Sequence, residues 1–389
     1  MGHVDGGSVI GIASTWCFLL ITFATTLVFV PKNATFLRVG ATLALGYLQY
    51  AFYMAVTNTS ITPAQKSNIC LLSWGFFISS TEQILISQFY IDDLLTKMEK
   101  DGGVHVSTAT LLFRAAGMYF NLRRVGARGE ISMKHRRAMT RARLVYAKIA
   151  EILVLYLVID AAMSGPPPEN HLVTREKQTL FRLSNLSLED VAFRFFSTLG
   201  YWLVTFVCNR LNHACAAVVS LTIGLSQPED WPHLNGPMSA CYTVRGFWGK
   251  FWHQLFRKEF TSWGDLLPDK IFRLRRGTLL SRYTRLFLTF LVSGLMHHSL
   301  GHLYSFAADD TFASERFYTL QAVGIAFEDA VQALTADIPL PMSVRRVVGY
   351  IWVLVFLSWS TPTCSYPSMR VGDIGQMVPF RVMGHLIQS

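Results

Sequence analysis

Long apolar runs separated by polar stretches dominate the pattern of this 389-residue chain. Most of the runs approach the roughly 20 residues that an α-helix needs to cross the hydrocarbon core of a bilayer. The runs lie at 8–30, 36–56, 69–90, 149–163, 191–225, 286–304, 317–334 and 347–359. The pattern therefore predicts an all-α, polytopic integral membrane protein.

The run at 191–225 is too long for a single crossing, because one helix would extend roughly 50 Å at about 1.5 Å per residue. Polar residues interrupt this run at Asn209 and Arg210. We expect one crossing plus a broken or re-entrant piece near these residues, enclosed by protein or by a water-filled cavity. With the other runs, this predicts about eight to nine transmembrane helices.

Two polar segments between the runs, 97–148 and 226–285, are strongly basic. Lys and Arg concentrate in cytosolic loops, so we expect both segments in the cytosol and both termini in the lumen. We expect a single membrane-embedded domain over 1–389. It divides into N-terminal spans (1–90), a basic cytosolic loop (91–148), middle spans (149–225), a second cytosolic segment (226–285) and C-terminal spans (286–389).

Composition supports a membrane protein, because only 15% of the residues are charged, 51% are hydrophobic and the mean hydropathy is +0.32. Soluble domains carry about 25% charged residues. The net charge of +10 fits loops that face an anionic membrane surface better than it fits nucleic-acid binding. The six cysteines form no CxxC pair, so we expect neither a structural metal nor a disulfide framework.

The run at 286–304 reads LFLTFLVSGLMHHSLGHLY and carries His297, His298 and His302. Ionisable side chains within a span are costly and usually face a cavity and serve a function. Ser293 and Gly294, one turn earlier, would let another surface approach the histidines closely. Histidines can also hold helices together through hydrogen bonds, and this alternative stays open.

The segment 245–260 reads RGFWGKFWHQLFRKEF. Its aromatic residues repeat every four positions, which predicts a cytosolic amphipathic helix at the membrane surface, before the histidine-bearing helix. A membrane anchor would explain the tryptophans, but it does not explain His253, which lies at the edge formed by Gly246 and Gly249.

These motifs resemble those of wax synthase-like, membrane-bound O-acyltransferases (MBOAT-related). Residues 247–254, FWGKFWHQ, are similar to the FWGRRWHQ motif of that group, and 230–236, DWPHLNG, to its DWPxLFG motif. Residues 293–297, SGLMH, match its SGLxH motif. The stretch 121–129 resembles a loop of fungal members that acetylate terpenoids and meroterpenoids. Two departures are Lys250–Phe251 in place of two arginines, and His298 where plant members often have Glu.

The resemblance implies transfer of an acetyl or other acyl group from acetyl-CoA to a lipophilic terpenoid- or meroterpenoid-type alcohol, in secondary metabolism. It implies a multi-pass protein of the endoplasmic reticulum, with the lipid bilayer, an acyl-CoA and the alcohol as partners and no bound cofactor or metal. His297 would act as general base, and His253 would orient the thioester or donate to its oxyanion. Residues expected to contact the substrates are Trp248, Trp252, Gln254, Arg257, Lys258, Ser293 and His298, with Arg128 as another candidate for the CoA phosphates.

Other functions remain open at this stage. A long-chain wax ester synthase or a sterol acyltransferase would use the same chemistry. A transporter would explain Glu82, Glu151 and Asp160 within apolar runs, although the sequence shows no inverted repeat. An integral-membrane di-iron oxidase would use the spacing of His298 and His302, but the other histidines are scattered.

Overall fold

The computed structural model describes residues 6–96, 99, 106–131, 139–180, 186–303, 312–371 and 377–382. Over these ranges the regular secondary structure is entirely helical, which confirms the predicted all-α class. The longer helices are α1 (Gly6–Phe29), α2 (Thr35–Thr57), α3 (Pro63–Thr81), α4 (Thr108–Phe120), α5 (Arg141–Ala162), α6 (Leu188–Thr222), α7 (Arg257–Leu266), α8 (Leu279–Leu303), α9 (Ala313–Leu334), α10 (Met342–Ser360) and α11 (Pro362–Arg370).

Among the described residues, five helical segments are long and apolar enough to cross a membrane. They are Val9–Phe29, Thr35–Thr57, Pro63–Ile86, Leu188–Thr222 and Met342–Ser360. The other predicted runs largely coincide with helices α5, α8 and α9, which are not among these five segments. The count of eight to nine spans therefore stays a prediction.

The predicted break near Asn209 and Arg210 is wrong, because α6 continues through both residues as one 35-residue helix. Arg210 forms an ion pair with Glu151 of α5, and Lys148 contacts the same carboxylate at 2.7 Å. A polar stretch whose charge is paired on a neighbouring helix has no need to unwind. Glu151, an acidic residue that a transporter would explain, thus has a structural partner.

The chain divides into two compact units, each assembled from segments that are distant in sequence. The first contains Met1–Ile61, Lys66–Ile131 and Leu255–Leu303, and the second contains Thr62–Gln65, Ser132–Gln254 and Tyr304–Ser389. His297 thus belongs to the first unit and His253 to the second.

In the first unit, α1 packs against α2 and α4 through a cluster of aromatic rings. Trp16 contacts Phe52, Phe76 and Tyr119 with ring centroids 5.2–6.3 Å apart. Edge-to-face pairs of this kind stabilise a core beyond the area they bury. This cluster explains why Trp16, Phe52 and Phe76 lie in the first three apolar runs.

Buried polar groups of the first unit meet where α3 ends in a π-helical turn, Glu82–Ile86. Glu82 forms a fully buried ion pair with Arg124 and accepts a hydrogen bond from the Ser87 hydroxyl at 2.7 Å. Arg124 has φ 53°, a left-handed conformation that is costly for a residue with a side chain. The pair therefore holds the loop after α4 against α3, and it gives Glu82 a structural explanation.

In the second unit, α5 packs along α6, which also contacts α10 and α11. Trp202 of α6 donates its indole N–H to the Thr361 hydroxyl at 3.0 Å, between α10 and α11. Asp160, at the end of α5, accepts a hydrogen bond from the backbone N–H of Val382 at 2.7 Å. These contacts give Trp202 and Asp160 partners within the second unit.

Candidate active site

His297 lies in the second half of α8, where its ring is held by the backbone of its own helix. The Nδ1 atom is 2.7 Å from the carbonyl oxygen of Ser293, one turn earlier. Because a carbonyl oxygen only accepts hydrogen bonds, Nδ1 carries the proton of this bond. In the neutral ring, Nε2 then carries the lone pair, which is the tautomer that a general base requires.

His297 is half-buried on α8. Ser293 and Met296 are buried, and Met296 belongs to a small core with Leu122 and Phe256. His298 is half-buried on the same helix. The side chain of His302 falls outside the described residues, so the predicted grouping of three histidines is described only for His297 and His298.

The predicted phosphate-binding cations of the first unit are in different environments. Arg257, in the first turn of α7, is exposed, whereas Lys258 is half-buried. Burial and the nearby Arg124 lower the pKa of Lys258. Arg128 stacks over the Phe89 ring and pairs with Asp93 at 3.0 Å. Arg128 therefore has a carboxylate partner in the structure.

Glu259 follows these cations and is fully buried. It accepts a hydrogen bond from the Ser79 hydroxyl at 3.1 Å. Burial raises the pKa of its carboxyl group to about 7, although Arg124 and Lys258 favour the charged form. Glu259 was not recognised from the sequence, since a Glu within RKEF reads as an ordinary surface charge.

The predicted amphipathic helix over 245–260 is wrong as a single element. Val244–Gly246 forms one helical turn, Phe247–Phe251 forms a π-helical turn, and the following residues up to Phe256 are not helical before α7 begins. Phe247, Phe251 and Trp252 are buried within the protein rather than exposed as a membrane-facing stripe. We call residues 244–254 the FWG segment.

Aromatic packing in the second unit explains this conformation. The ring of Trp202 lies edge-on to Phe247, Trp248 and Trp252, with centroids 5.0–5.6 Å apart. A straight α-helix places residues four apart on one face, whereas a π-helical turn widens the helix by one residue. The FWG segment thus brings three rings onto one partner.

His253 and Gln254 follow the π-helical turn. The His253 ring lies 5.3 Å from the Trp252 ring. Gln254 is buried and donates its amide N–H groups to the carbonyl oxygens of Trp248 and Trp252, at 3.1 and 2.6 Å. Gln254 therefore holds the turn that presents His253, and its predicted contact with substrate stays a prediction.

Two glycines let other backbone approach the FWG segment closely. Gly236, from the DWPHLNG motif, donates its N–H to the Phe251 carbonyl at 2.9 Å, and an added Cβ would lie 2.0 Å from the Lys250 carbonyl oxygen. A Cβ on Gly246 would lie 1.9 Å from the Ala240 carbonyl oxygen. Only glycine fits at these positions. Gly236 of the DWPHLNG motif is thus explained by its close contact with the FWG segment.

Helix α9 provides further polar contacts. Glu328 is buried and accepts hydrogen bonds from the backbone N–H groups of Val244 and Arg245. Gln321 accepts a hydrogen bond from the Trp248 indole at 3.1 Å. The signal for these residues was an amide and a carboxylate within an apolar run, which indicates a function.

Within the described part of the chain, no three His, Cys, Asp or Glu side chains are close enough to hold a metal ion. The expectation that no metal takes part stays a prediction.

Comparison with known proteins gives a consistent result. The sequence model of the membrane bound O-acyl transferase family matches residues 231–319, which include both His253 and His297. Acetyltransferase aurG of Calcarisporium arbuscula is 34% identical over 203 residues, 51% of this chain and 49% of the relative. Acetyltransferase ataH of Aspergillus terreus is 32% identical over 286 residues, 68% of this chain and 92% of the relative. Acetyltransferase pyr8 of Aspergillus fumigatus is 28% identical over 400 residues, 95% of this chain and 90% of the relative.

The chain spans about half the length of several of these relatives, including aurG at 49%. For ataH, in contrast, the similarity extends over 92% of the relative at 32% identity. The family match also falls on the segments that carry both predicted histidines. The chain therefore belongs to the membrane bound O-acyl transferase family.

Proposed function

We propose that this protein transfers an acetyl group from acetyl-CoA to a hydroxyl group of a lipophilic alcohol of the terpenoid or meroterpenoid type, in a membrane of the endoplasmic reticulum. The observation that carries the proposal is the environment of His297. Its Nδ1 proton is donated to the Ser293 carbonyl, so that the lone pair of the neutral ring is on Nε2.

In this reaction, Nε2 of His297 takes the proton of the acceptor hydroxyl group. The oxygen attacks the thioester carbonyl, the new C–O bond forms and the C–S bond breaks. The proton on His297 then passes to the thiolate of CoA, which restores the neutral ring. General-base assistance of this kind contributes about 10²–10⁴ to the rate.

The other residues are assigned by the motifs to which they belong. His253 would orient the thioester or donate to the developing oxyanion, and Gln254, Trp248 and Trp252 would maintain this arrangement. Arg257 and Lys258, at the start of α7, would meet the phosphates of CoA, and Ser293 and His298 would contact the acceptor.

Two observations favour acetyl transfer over long-chain transfer. The matched relatives aurG, ataH and pyr8 are named acetyltransferases and come from fungi. The loop over 121–129 resembles that of fungal members that acetylate terpenoids. Long-chain wax ester synthesis is the second outcome that the experiment distinguishes.

The first prediction concerns His297. Microsomes that contain the protein are incubated with ¹⁴C-acetyl-CoA and a panel of sterol, terpenoid and fatty-alcohol acceptors. We expect His297→Ala to lower ester formation at least about 10²-fold, because it removes the base, and His253→Ala to lower it strongly. His171→Ala, at an exposed position outside the motifs, serves as the control and should retain activity.

Ester formation that persists in His297→Ala would refute the mechanism but not the class of reaction. Ester formed only from palmitoyl-CoA and a fatty alcohol would identify a wax ester synthase. If no donor gives ester at matched expression, the acyltransferase proposal fails.

A further inference from the structure

The carboxylate of Glu328 receives three hydrogen bonds, two of them from the start of the FWG segment. Oε1 accepts from the Val244 backbone N–H and from the Trp352 indole N–H at 2.8 Å, and Oε2 accepts from the Arg245 backbone N–H at 3.2 Å. Glu328 is 6% exposed. A buried carboxylate is retained only where such donors compensate its lost hydration.

Neighbouring contacts act on the same segment. Asp329 pairs with the Arg245 side chain at 2.6 Å, and Gln321, on the same helix, accepts from the Trp248 indole. Helix α9 therefore holds the FWG segment at its backbone and at two of its side chains. Glu328 differs from the other two residues because it binds the backbone directly.

We propose that Glu328 is a positioning residue, which fixes the start of the FWG segment and thereby the position of His253. This inference rests on the proposed function for its catalytic consequence, but its structural part stands independently. The first N–H groups of a helical turn have no partners within the turn, so an acceptor from elsewhere determines where the turn begins. A displacement of about 1 Å at a catalytic group can lower the rate about 10²-fold.

Two substitutions at this position separate positioning from general stability. Glu328→Leu removes all three hydrogen bonds. Glu328→Gln can keep its oxygen in the place of Oε1, towards Val244 and Trp352, and loses only the longer bond from Arg245. If Glu328 acts by positioning, the Glu328→Gln variant should therefore keep most of the order of the FWG segment and most of the kcat that the Glu328→Leu variant loses.

Asp160→Asn provides a matched control. Asp160 is also a buried carboxylate of the second unit that accepts a backbone N–H, but its donor is Val382, outside the FWG segment. Asp160→Asn removes the charge of this carboxylate, as Glu328→Gln does at its own position, and should leave the FWG segment in place.

The test begins with hydrogen–deuterium exchange of the full-length protein in nanodiscs. We expect amides of residues 244–252 to exchange at least about 10-fold faster in Glu328→Leu than in the wild type, and near the wild-type rate in Glu328→Gln and Asp160→Asn. Unchanged exchange of this segment in Glu328→Leu would overturn the proposal, whether or not the enzyme is active.

The second readout is kcat and KM for acetyl-CoA, per folded enzyme. We expect kcat to fall about 10- to 100-fold in Glu328→Leu with a smaller change in KM, to recover largely in Glu328→Gln, and to stay near wild type in Asp160→Asn. If Glu328→Leu speeds exchange of the FWG segment but leaves kcat at the wild-type value, the proposed effect of Glu328 on catalysis is overturned. If the wild-type protein has no acyltransferase activity, the proposed function is refuted. The exchange measurement then still tests whether Glu328 fixes the start of the FWG segment.

Discussion

Glu82 and Arg124 form an ion pair in which both side chains are almost completely buried. An isolated charge there would be very unfavourable, so each partner depends on the other. The sequence alone does not explain an acidic residue at position 82 in an apolar run, because its partner, Arg124, lies far along the chain. The structure explains it without a proton path.

We predict that Glu82→Leu lowers the free energy of unfolding by about 3–5 kcal/mol, because the substitution leaves Arg124 buried without its partner. The double variant Glu82→Leu with Arg124→Leu should be more stable than Glu82→Leu alone. Thermal unfolding in detergent measures both. A single variant with wild-type stability would contradict this account of the pair.

Glu259 makes stability depend on pH. Its pKa is raised by burial from 4.5 to about 7, so the folded protein keeps a proton that the unfolded chain releases between these values. The contribution of Glu259 to the free energy of unfolding is therefore fully present below about pH 4.5, and it is lost as the pH rises towards 7. The shift corresponds to about 3 kcal/mol.

We therefore predict that stability decreases between pH 5 and 7 in the wild type, and that Glu259→Gln removes roughly this part of the decrease. Unfolding midpoints measured across this pH range test the prediction. The neighbouring Arg124 and Lys258 are common to both proteins, so the comparison isolates Glu259. Parallel pH profiles would argue against Glu259 as the source.

At the scale of elements, the FWG segment shows where sequence periodicity misleads. The four-residue repeat of its aromatic residues predicted one amphipathic helix, but the structure ends the helical turns at Phe251. Periodicity shows which positions are apolar, but it does not show which part of the protein or membrane packs against them. Here the covering partner is Trp202, which the FWG sequence cannot reveal.

The support of this segment gives a prediction about Gly236. Gly236→Ala would place a methyl group 2.0 Å from a backbone oxygen, so the backbone must shift. We expect a loss of stability of about 1–3 kcal/mol, together with reduced ester formation. Gly249→Ala is the matched control for stability, because its added Cβ would have no atom within 4 Å. Equal unfolding midpoints for the two variants would contradict the proposed close approach.

Helix α6 is an element whose sequence predicted a break that the structure does not have. Polar residues within a long apolar run predicted a break, yet the helix is continuous because Glu151 of α5 neutralises Arg210. The sequence correctly predicted a helix at this position. Its continuity depended on a neighbour that local sequence does not identify.

At the scale of the whole molecule, the arrangement of basic loops predicts topology. In sealed, cytosol-facing-out microsomes, Glu130→Cys and Glu229→Cys in a cysteine-free background should react with a membrane-impermeant maleimide. Glu169→Cys should react only after detergent is added, because 164–187 is expected in the lumen. Labelling of Glu169→Cys without detergent would overturn the predicted orientation.

The sequence by itself determined the helical class, the membrane character, the family and the motifs that contain His253 and His297. These features depend on composition, on local periodicity and on short motifs, which are properties of contiguous residues. Only the tertiary structure decided the Nδ1–H tautomer of His297, the partners of Glu82 and Arg210, the path of the FWG segment and the place of Glu328. The tautomer of His297 depends on a backbone carbonyl of its own helix, and the other features depend on hydrogen bonds, charges or rings from residues far away in the chain. Burial strengthens these contacts and makes an unpaired polar group costly.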